Sequence, residues 1–447
     1  MTQERRRRAD TGLKDDLLSD LRRMNPWWEG QPARPSPPTR RHLVRQIQRR
    51  LDAKIAPIVV VRGPRQIGKS TAQMQVLEDL LNSGVNPLHV FRVQFDDLRA
   101  IDSLGQEPIL RLIDWYERDF LGVTLNRLAQ EGGEVRLFLD EVQNLPDWDV
   151  QLKALVDSTM VRVVVTGSSA LRIERGRDSL AGRISTLEAG TLSLTEIASF
   201  RGIPLGDPLL VDNGTESLGR QTTWEALRDM GRARATARDQ AFEAFSLRGG
   251  YPLVHQRAEV DWSILADQLN ETVIRRVIEH DLRVGEVGRK RDAKLLEELF
   301  RLACRYAGQA PGVSLLVREA QRALAADVGT QRVRDYMKFL GDTLLLRVIE
   351  PLEIRLKKMR GAPKLCLADH ALRASWLHEE VPLAPDGLRA APDLTTLAGH
   401  LAESVVGATL STIHGLDLNW RPERGDEPEI DFVLTIGTMR IPLEVKY

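Results

Sequence analysis

Between residues 40 and 200, short apolar runs alternate with segments whose apolar residues recur at helical spacing. Runs rich in Val, Ile and Leu near 57–62, 89–95, 135–140 and 161–166 predict strands. Strand and helix in alternation is the βαβ grammar of a parallel sheet covered on both faces. Residues 203–240 are polar, with scattered Gly and Asp, and predict an irregular insertion. From about 290 the texture changes. Residues 293–305 repeat apolar positions at helical spacing, a second helix follows Ser314, and a third runs from near Thr330 through Val333, Tyr336, Met337 and Leu340. Residues 343–349 and 364–369 then read as two strands of a hairpin. Three helices followed by a hairpin is the order of a winged helix. Towards the end, a helical pattern over 401–410 precedes two further strand patterns, 429–434 and 441–446.

The loop after the first strand pattern changes the picture most. It reads Gly63-Pro64-Arg65-Gln66-Ile67-Gly68-Lys69-Ser70-Thr71, the G-x-x-x-x-G-K-[ST] phosphate loop between a strand and a helix. Backbone N–H groups of such a loop and of the helix N-terminus converge on one anion. Lys69 is expected to reach the β- and γ-phosphates of ATP, and the Ser70 hydroxyl to meet Mg²⁺. The strand Val135-Arg-Leu-Phe-Leu-Asp140-Glu141 ends in two carboxylates, a Walker B segment. Asp140 is expected to hold Mg²⁺ and Glu141 to orient or deprotonate the attacking water. The strand over 161–166 ends in hydroxyls. Thr166 or Ser168 there is expected to contact the γ-phosphate or the lytic water, or else to cap the next helix.

Charge adds little at the level of the whole chain. Lys+Arg and Asp+Glu both number 63 in 447 residues, so any basic surface is local. Two cysteines, Cys304 and Cys366, are too few for a disulfide framework or a metal cluster and fit a reducing cytosol. No apolar run approaches membrane length and the N-terminus is charged, so a cytoplasmic protein without membrane contact is expected. The run Arg5-Arg-Arg-Arg8 reads as a solvated arm, and Trp27 and Trp28 as anchors that pack this arm on the core. Local basic clusters do occur further on. The third helix of the winged-helix pattern carries Arg332, Arg334 and Lys338, and the hairpin tip carries Arg355, Lys357, Lys358 and Arg360. A helix for the major groove and a basic wing for the phosphates suit DNA.

The final segment sets Glu403 on a helix and then Asp431 and Glu444-Val-Lys446 on successive strands. Residues two apart share a strand face, so Asp431, Glu444 and Lys446 are expected at one end of a hairpin. Such carboxylates would hold Mg²⁺ while the lysine steadies a hydroxide or the scissile phosphate. The set resembles the PD-(D/E)xK nuclease core. It stops one residue past the lysine, so a truncated fold without cleavage is expected.

Taken in order, several short motifs resemble a large bacterial and archaeal group of AAA-type ATPases with a C-terminal domain of unknown function. They are Asn25-Pro-Trp-Trp, the phosphate loop, Leu-Asp140-Glu-Val-Gln143 with Trp148 and Lys153, Thr166-Gly-Ser-Ser169, Leu180-Ala-Gly-Arg183, Gly249-Gly-Tyr-Pro252, Lys364-Leu…Asp369 and Asp431…Glu444-Val-Lys446. The resemblance runs from residue 25 nearly to the end. It implies an α/β fold: a P-loop αβα ATPase core with a parallel sheet, then a winged-helix domain, then a truncated α/β nuclease-like domain. The expected boundaries are 1–39 for an N-terminal arm, 40–200 for the core and 201–290 for a helical lid and insertion. The winged helix is expected over 291–375 and the nuclease-like part over 376–447.

The resemblance also implies that Arg183 points into a neighbour's ATP as an arginine finger, with Arg172, Arg175 and Arg177 as competitors, and hence a homo-oligomeric ring or dimer. ATP and Mg²⁺ are the expected cofactors and DNA the expected partner. The expected function is a DNA-binding motor or remodeller on duplex or branched DNA. The alternatives are a nucleotide-driven switch acting on a protein partner in defence or signalling, and an ATP-dependent nuclease.

Overall fold

The computed structural model describes residues 13–167, 179–210, 215–281, 292–354, 357–358 and 361–446. They fall in two compact units, Met1–Gly63 with Gly68–Leu187, and Pro64–Ile67 with Glu188–Tyr447. Arg5–Arg8, Ser168, Arg172, Arg175, Arg177, Arg355, Arg360 and Tyr447 lie outside the described residues.

In the first unit α1 (Asp15–Met24), a 3-10 turn (Pro26–Glu29) and α2 (His42–Ala53) precede a sheet. Then follow β1 (Ile58–Arg62), α3 (Lys69–Asn82), β2 (Val90–Gln94), α4 (Pro108–Trp115), α5 (Leu125–Gln130), β3 (Val135–Asp140), α6 (Trp148–Ser158), β4 (Val161–Gly167) and β5 (Ile184–Glu188). The strand order is β2-β3-β4-β1-β5, and the β2–β3, β3–β4 and β4–β1 pairs are parallel. Ile58, Val59, Val60 and Val61 are all at most 1% exposed. An unbroken β-branched run is what a strand covered on both faces requires. Removing each such side chain from water contributes about 1.5–3 kcal/mol. The four expected strands form. β5 was not anticipated: Ile184-Ser-Thr-Leu-Glu alternates polar residues and is only half-buried, so it lacks an apolar run.

The edge strand β2 is closed by the N-terminal arm. Asn25 Nδ2 donates to Arg92 O at 2.8 Å, and Asn25 Oδ1 accepts from Arg92 N at 2.7 Å. Trp27 and Trp28 both donate their indole N–H to Val90 O, at 2.9 and 3.0 Å. Trp28 also lies 4.2 Å from Phe120 and 5.3 Å from Phe91, centroid to centroid. The tryptophans are therefore anchors that satisfy an open sheet edge, which would otherwise pair with other chains. Buried Asp20 accepts from Arg99 N at 2.9 Å, and its pairing with Arg99 holds its carboxyl below the usual range.

The second unit begins with α7 (Leu194–Arg201), α8 (Gln221–Ala233), α9 (Ala235–Arg248), α10 (Pro252–Gln256) and α11 (Trp262–Leu269). The irregular insertion expected over 203–240 is thus corrected, since α8 and the start of α9 fall inside it. Trp224, Leu227 and Met230 do recur at helical spacing there, but no residue of α8 is buried and Leu227 is 42% exposed, so this short stripe sits in an otherwise polar stretch. Next come α12 (Ala293–Arg305), α13 (Val313–Leu324), α14 (Thr330–Asp342), β6 (Leu346–Ile349), β7 (Glu353–Ile354), β8 (Lys357–Lys358) and β9 (Lys364–Leu367). β6 pairs antiparallel with β9, and β7 with β8. The unit closes with α15 (His370–Leu377), α16 (Pro385–Ala390), α17 (Thr395–Leu410) and the antiparallel sheet β10 (Asp417–Arg421), β11 (Ile430–Ile436) and β12 (Met439–Leu443).

Gly249 shows why the Gly-Gly-Tyr-Pro signature needs its glycines. Its φ is +73°, and a Cβ there would lie 2.0 Å from Asp369 Oδ1. Asp369 also accepts from Gly250 N at 2.8 Å and from Ala371 N at 2.9 Å, capping α15. Only a residue without a side chain fits between the carboxylate and this backbone.

Candidate nucleotide site and the terminal carboxylate group

The strand register brings the chemistry to one end of the sheet. Gln94 lies beside Asp140, Asp140 beside Thr166, and Thr166 beside Val61, the residue before the last of β1. Ligands of open α/β sheets bind beyond these carboxyl ends, where the strand order reverses. β1 leads into the loop at 63–68 and then into α3, whose first residue is Lys69. Gly68 takes φ +87° to turn the chain into the helix, and Gln66 also has positive φ, +63°. Lys69 is buried, and its Nζ donates to Gly63 O at 2.9 Å. The ammonium therefore lies at the carbonyl of the first glycine of the phosphate-loop motif.

Asp140, at the end of β3, is 1% exposed. Its Oδ1 accepts from Thr166 Oγ1, and the Ser70 hydroxyl lies close enough to this carboxylate to lower its pKa. Among the described residues its Oδ2 has no hydrogen-bond partner. Burial pushes the Asp140 carboxyl up; the Thr166 and Ser70 hydroxyls oppose this, Glu141 adds to it, and Arg92 lowers it. A buried carboxylate oxygen without a donor, with a serine hydroxyl on the same group, fits a hard divalent cation that keeps several of its waters. Ser70 and Asp140, separately expected at Mg²⁺, are thus brought together.

Glu141 sits at φ +54°, in the left-handed region, and Gln143 Nε2 donates to its Oε2. A glutamate in that conformation costs on the order of 1–3 kcal/mol, strain that clusters at functional sites.

Of the two hydroxyls expected at the γ-phosphate, Ser168 lies outside the described residues; Thr166 is fully buried, and its hydroxyl donates to Asp140 Oδ1 and accepts from Gln73 Nε2. Sequence reasoning missed Arg92, and it named Gln143 only as part of a motif. Arg92 Nη2 lies 3.8 Å from Asp140 Oδ2, and the arginine is 9% exposed. A lone charge inside the run Val90-Phe-Arg-Val was the available signal. Arg183 is engaged within its own chain: its Nη2 donates to Asp157 Oδ2 at 2.8 Å.

On α14 the two faces separate. Val333, Tyr336, Phe339 and Leu340 are buried, while Arg332, Arg334 and Lys338 are exposed. Arg332 also pairs with Asp292 at 3.4 Å. Lys357 and Lys358 form β8, opposite Ile354 and Glu353.

The terminal constellation assembles differently from its expectation. Glu403 on α17 and Asp431 on β11 do converge, but with Glu429 rather than Glu444; one oxygen from each lies within 4.8 Å of the others. Glu444 and Lys446 pair with each other at 3.4 Å on the exposed side. Asp431 Oδ2 instead accepts from Val445 N at 2.8 Å. The reason is geometric: β12 ends at Leu443, so Glu444 and Lys446 lie past the strand whose alternation was to align them. The cation among the carboxylates is Lys364, from β9.

Comparison with known proteins bears on this geometry. Residues 56–198 match a family model described as an AAA domain. Residues 239–381 match a second model, described as a domain of unknown function. An uncharacterized protein of Mycobacterium tuberculosis is 25% identical over 322 residues, 71% of this chain and 55% of that protein; its Mycobacterium bovis counterpart gives the same values. The chain therefore spans about half the length of the curated relatives it matches. An uncharacterized protein of Methanocaldococcus jannaschii is 28% identical over 123 residues, 27% of this chain and 23% of that protein. Among solved structures, the Thermotoga maritima RuvB Holliday junction branch migration motor aligns over 76% of this chain and 93% of its own, at 14% identity and TM-score 0.30. Drosophila ORC bound to DNA aligns over 85% and 95%, at 14% identity and TM-score 0.26. Among the described residues no helix is long and apolar enough to cross a membrane.

Proposed function

We propose that the chain is an ATP-hydrolysing AAA-type ATPase that binds duplex or branched DNA and works as a cytoplasmic homo-oligomer. The observation that carries the ATPase reading is the meeting of Ser70 and buried, half-satisfied Asp140 at the end of the phosphate loop, with Glu141 beside them. Lys69 and the backbone N–H groups of residues 63–71 would bind the phosphates, and Ser70 and Asp140 would hold Mg²⁺. When bound, that ion neutralises charge on the phosphate oxygens. Thr166 and Arg92 keep Asp140 in place, and Glu141 would take the proton from the attacking water.

Arg183→Ala tests the oligomer. Hydrolysis should be lost while ATP binding persists, and mixing with Glu141→Gln should restore part of the activity. Asp157→Ala, which breaks the same ion pair from the other side, should leave turnover near the native rate. Equal losses in both variants, or a fully active monomer, would reduce Arg183 to a surface ion pair.

The DNA reading rests on the exposed basic face of α14 opposite its buried face, followed by the lysine pair of β8. We read residues 291–375 as a winged helix that offers this helix and wing to the duplex. Replacing Lys357, Lys358 and Arg360 with Ala should lower the slope of log K against log salt by about 0.9 per lost phosphate contact on duplex DNA. An unchanged slope would favour a switch acting on a protein partner. The Arg332–Asp292 pair gives that second reading its support, since one of the basic residues already has an intramolecular partner. For residues 376–447 we propose a structural role without DNA cleavage.

A further inference from the structure

Lys364 opens β9 and is 1% exposed. Its Nζ lies 2.7 Å from Glu403 Oε2, 3.0 Å from Glu429 Oε1 and 3.6 Å from Asp431 Oδ1. The first two are hydrogen bonds and the third an ion pair. The rings of Trp420 and Phe432 lie 5.3 and 5.4 Å from the same nitrogen. The carboxylates come from two places in the chain: Glu403 from α17, and Glu429 and Asp431 from the start of β11, Glu429 being the residue before it. Their oxygens have the mutual spacing that ligands adopt around a single cation.

We propose that Lys364 is the resident cation of this carboxylate group: its ammonium takes the place of a divalent metal ion, ties β9 to α17 and β11, and keeps Mg²⁺ and Mn²⁺ out. The proposal is independent of the ATPase reading. Two arguments support it. A divalent ion bound to the same oxygens, at about 2.0–2.6 Å from each, would lie within a few ångströms of the ammonium, and two cations that close in a largely buried group repel strongly. In addition, a lysine that serves phosphodiester cleavage must direct its N–H groups at a water or a phosphate. Lys364 spends its own on Glu403 and Glu429 and turns its remaining charge to Asp431. Burial pulls the Lys364 pKa down, but Glu403 and Glu429 outweigh this and leave it above its ordinary value, so the ammonium persists through the neutral range.

The test counts Mn²⁺ bound to the full chain by electron paramagnetic resonance, with nucleotide absent. The native chain, Glu403→Gln and Asp431→Asn should bind equal numbers of Mn²⁺. Lys364→Ala should bind one more, and that ion should stabilise the variant, raising its unfolding temperature where the native chain shows no such rise. Lys364→Ala combined with Asp431→Asn should lose the extra ion. A Mn²⁺ site in the native chain that disappears in Glu403→Gln or Asp431→Asn would overturn the proposal, and so would a folded Lys364→Ala that gains none. If Lys364→Ala does not fold even with Mn²⁺, the native-background comparison decides by itself: equal counts support the proposal and a lost site overturns it.

Discussion

Lys69→Ala should abolish ATP hydrolysis and weaken nucleotide binding together. The buried ammonium is held at the loop by Gly63 O, 2.9 Å away, so it needs little rearrangement to meet a phosphate. Alanine removes the cation from a site where burial strengthens its field. A cation fixed on the transferring group is worth at least about 100-fold in rate. Lys69→Arg should not rescue the activity, because a planar guanidinium needs space that a 6% exposed position beside the loop lacks. Steady-state phosphate release and the affinity for a fluorescent ATP analogue read both effects. Native turnover in Lys69→Ala would remove the lysine from the site.

Glu141→Gln should separate binding from turnover. The amide keeps the size and the left-handed turn at φ +54° but cannot accept a proton from water. A loss of about 10²–10⁴-fold in turnover is expected, with ATP affinity retained, because general-base catalysis contributes on that scale. Gln143, which donates to Glu141, should become visible in the same assay. Its replacement by alanine should alter turnover while leaving nucleotide affinity intact. A Glu141→Gln enzyme with native turnover would hand the base role to another group.

How legible this was depended on what kind of signal each feature left in the chain. β1, β3 and β4 are buried on both faces, so their apolar runs announced them. β5 and α8 bury too little to leave such a run, and both were missed. Asp140 and Glu141 stand at the end of β3 and Lys69 and Ser70 open α3 after the loop that follows β1, so their places follow from local strand–loop–helix geometry. That Thr166 stands beside Asp140 follows from the strand register, which no local pattern states. Arg92 and Lys364 depend on pairings between segments distant in sequence. Lys364 reaches Glu403 and Glu429 across 39 and 65 residues, a distance over which no local periodicity speaks. The motif Glu444-Val-Lys446 misled for the converse reason: it assumed a strand that ends at Leu443.

The rate of ATP hydrolysis by the native chain, measured alone and then with single-stranded, duplex and branched DNA, tests the central claim most directly. The account predicts hydrolysis that needs Mg²⁺ and accelerates with duplex or branched DNA. The acceleration should fade as salt releases the protein from the phosphates, and it should shrink when Lys357, Lys358 and Arg360 are replaced. Hydrolysis at one rate with and without every DNA would contradict a DNA-acting motor, and no hydrolysis under any of these conditions would contradict the nucleotide site itself.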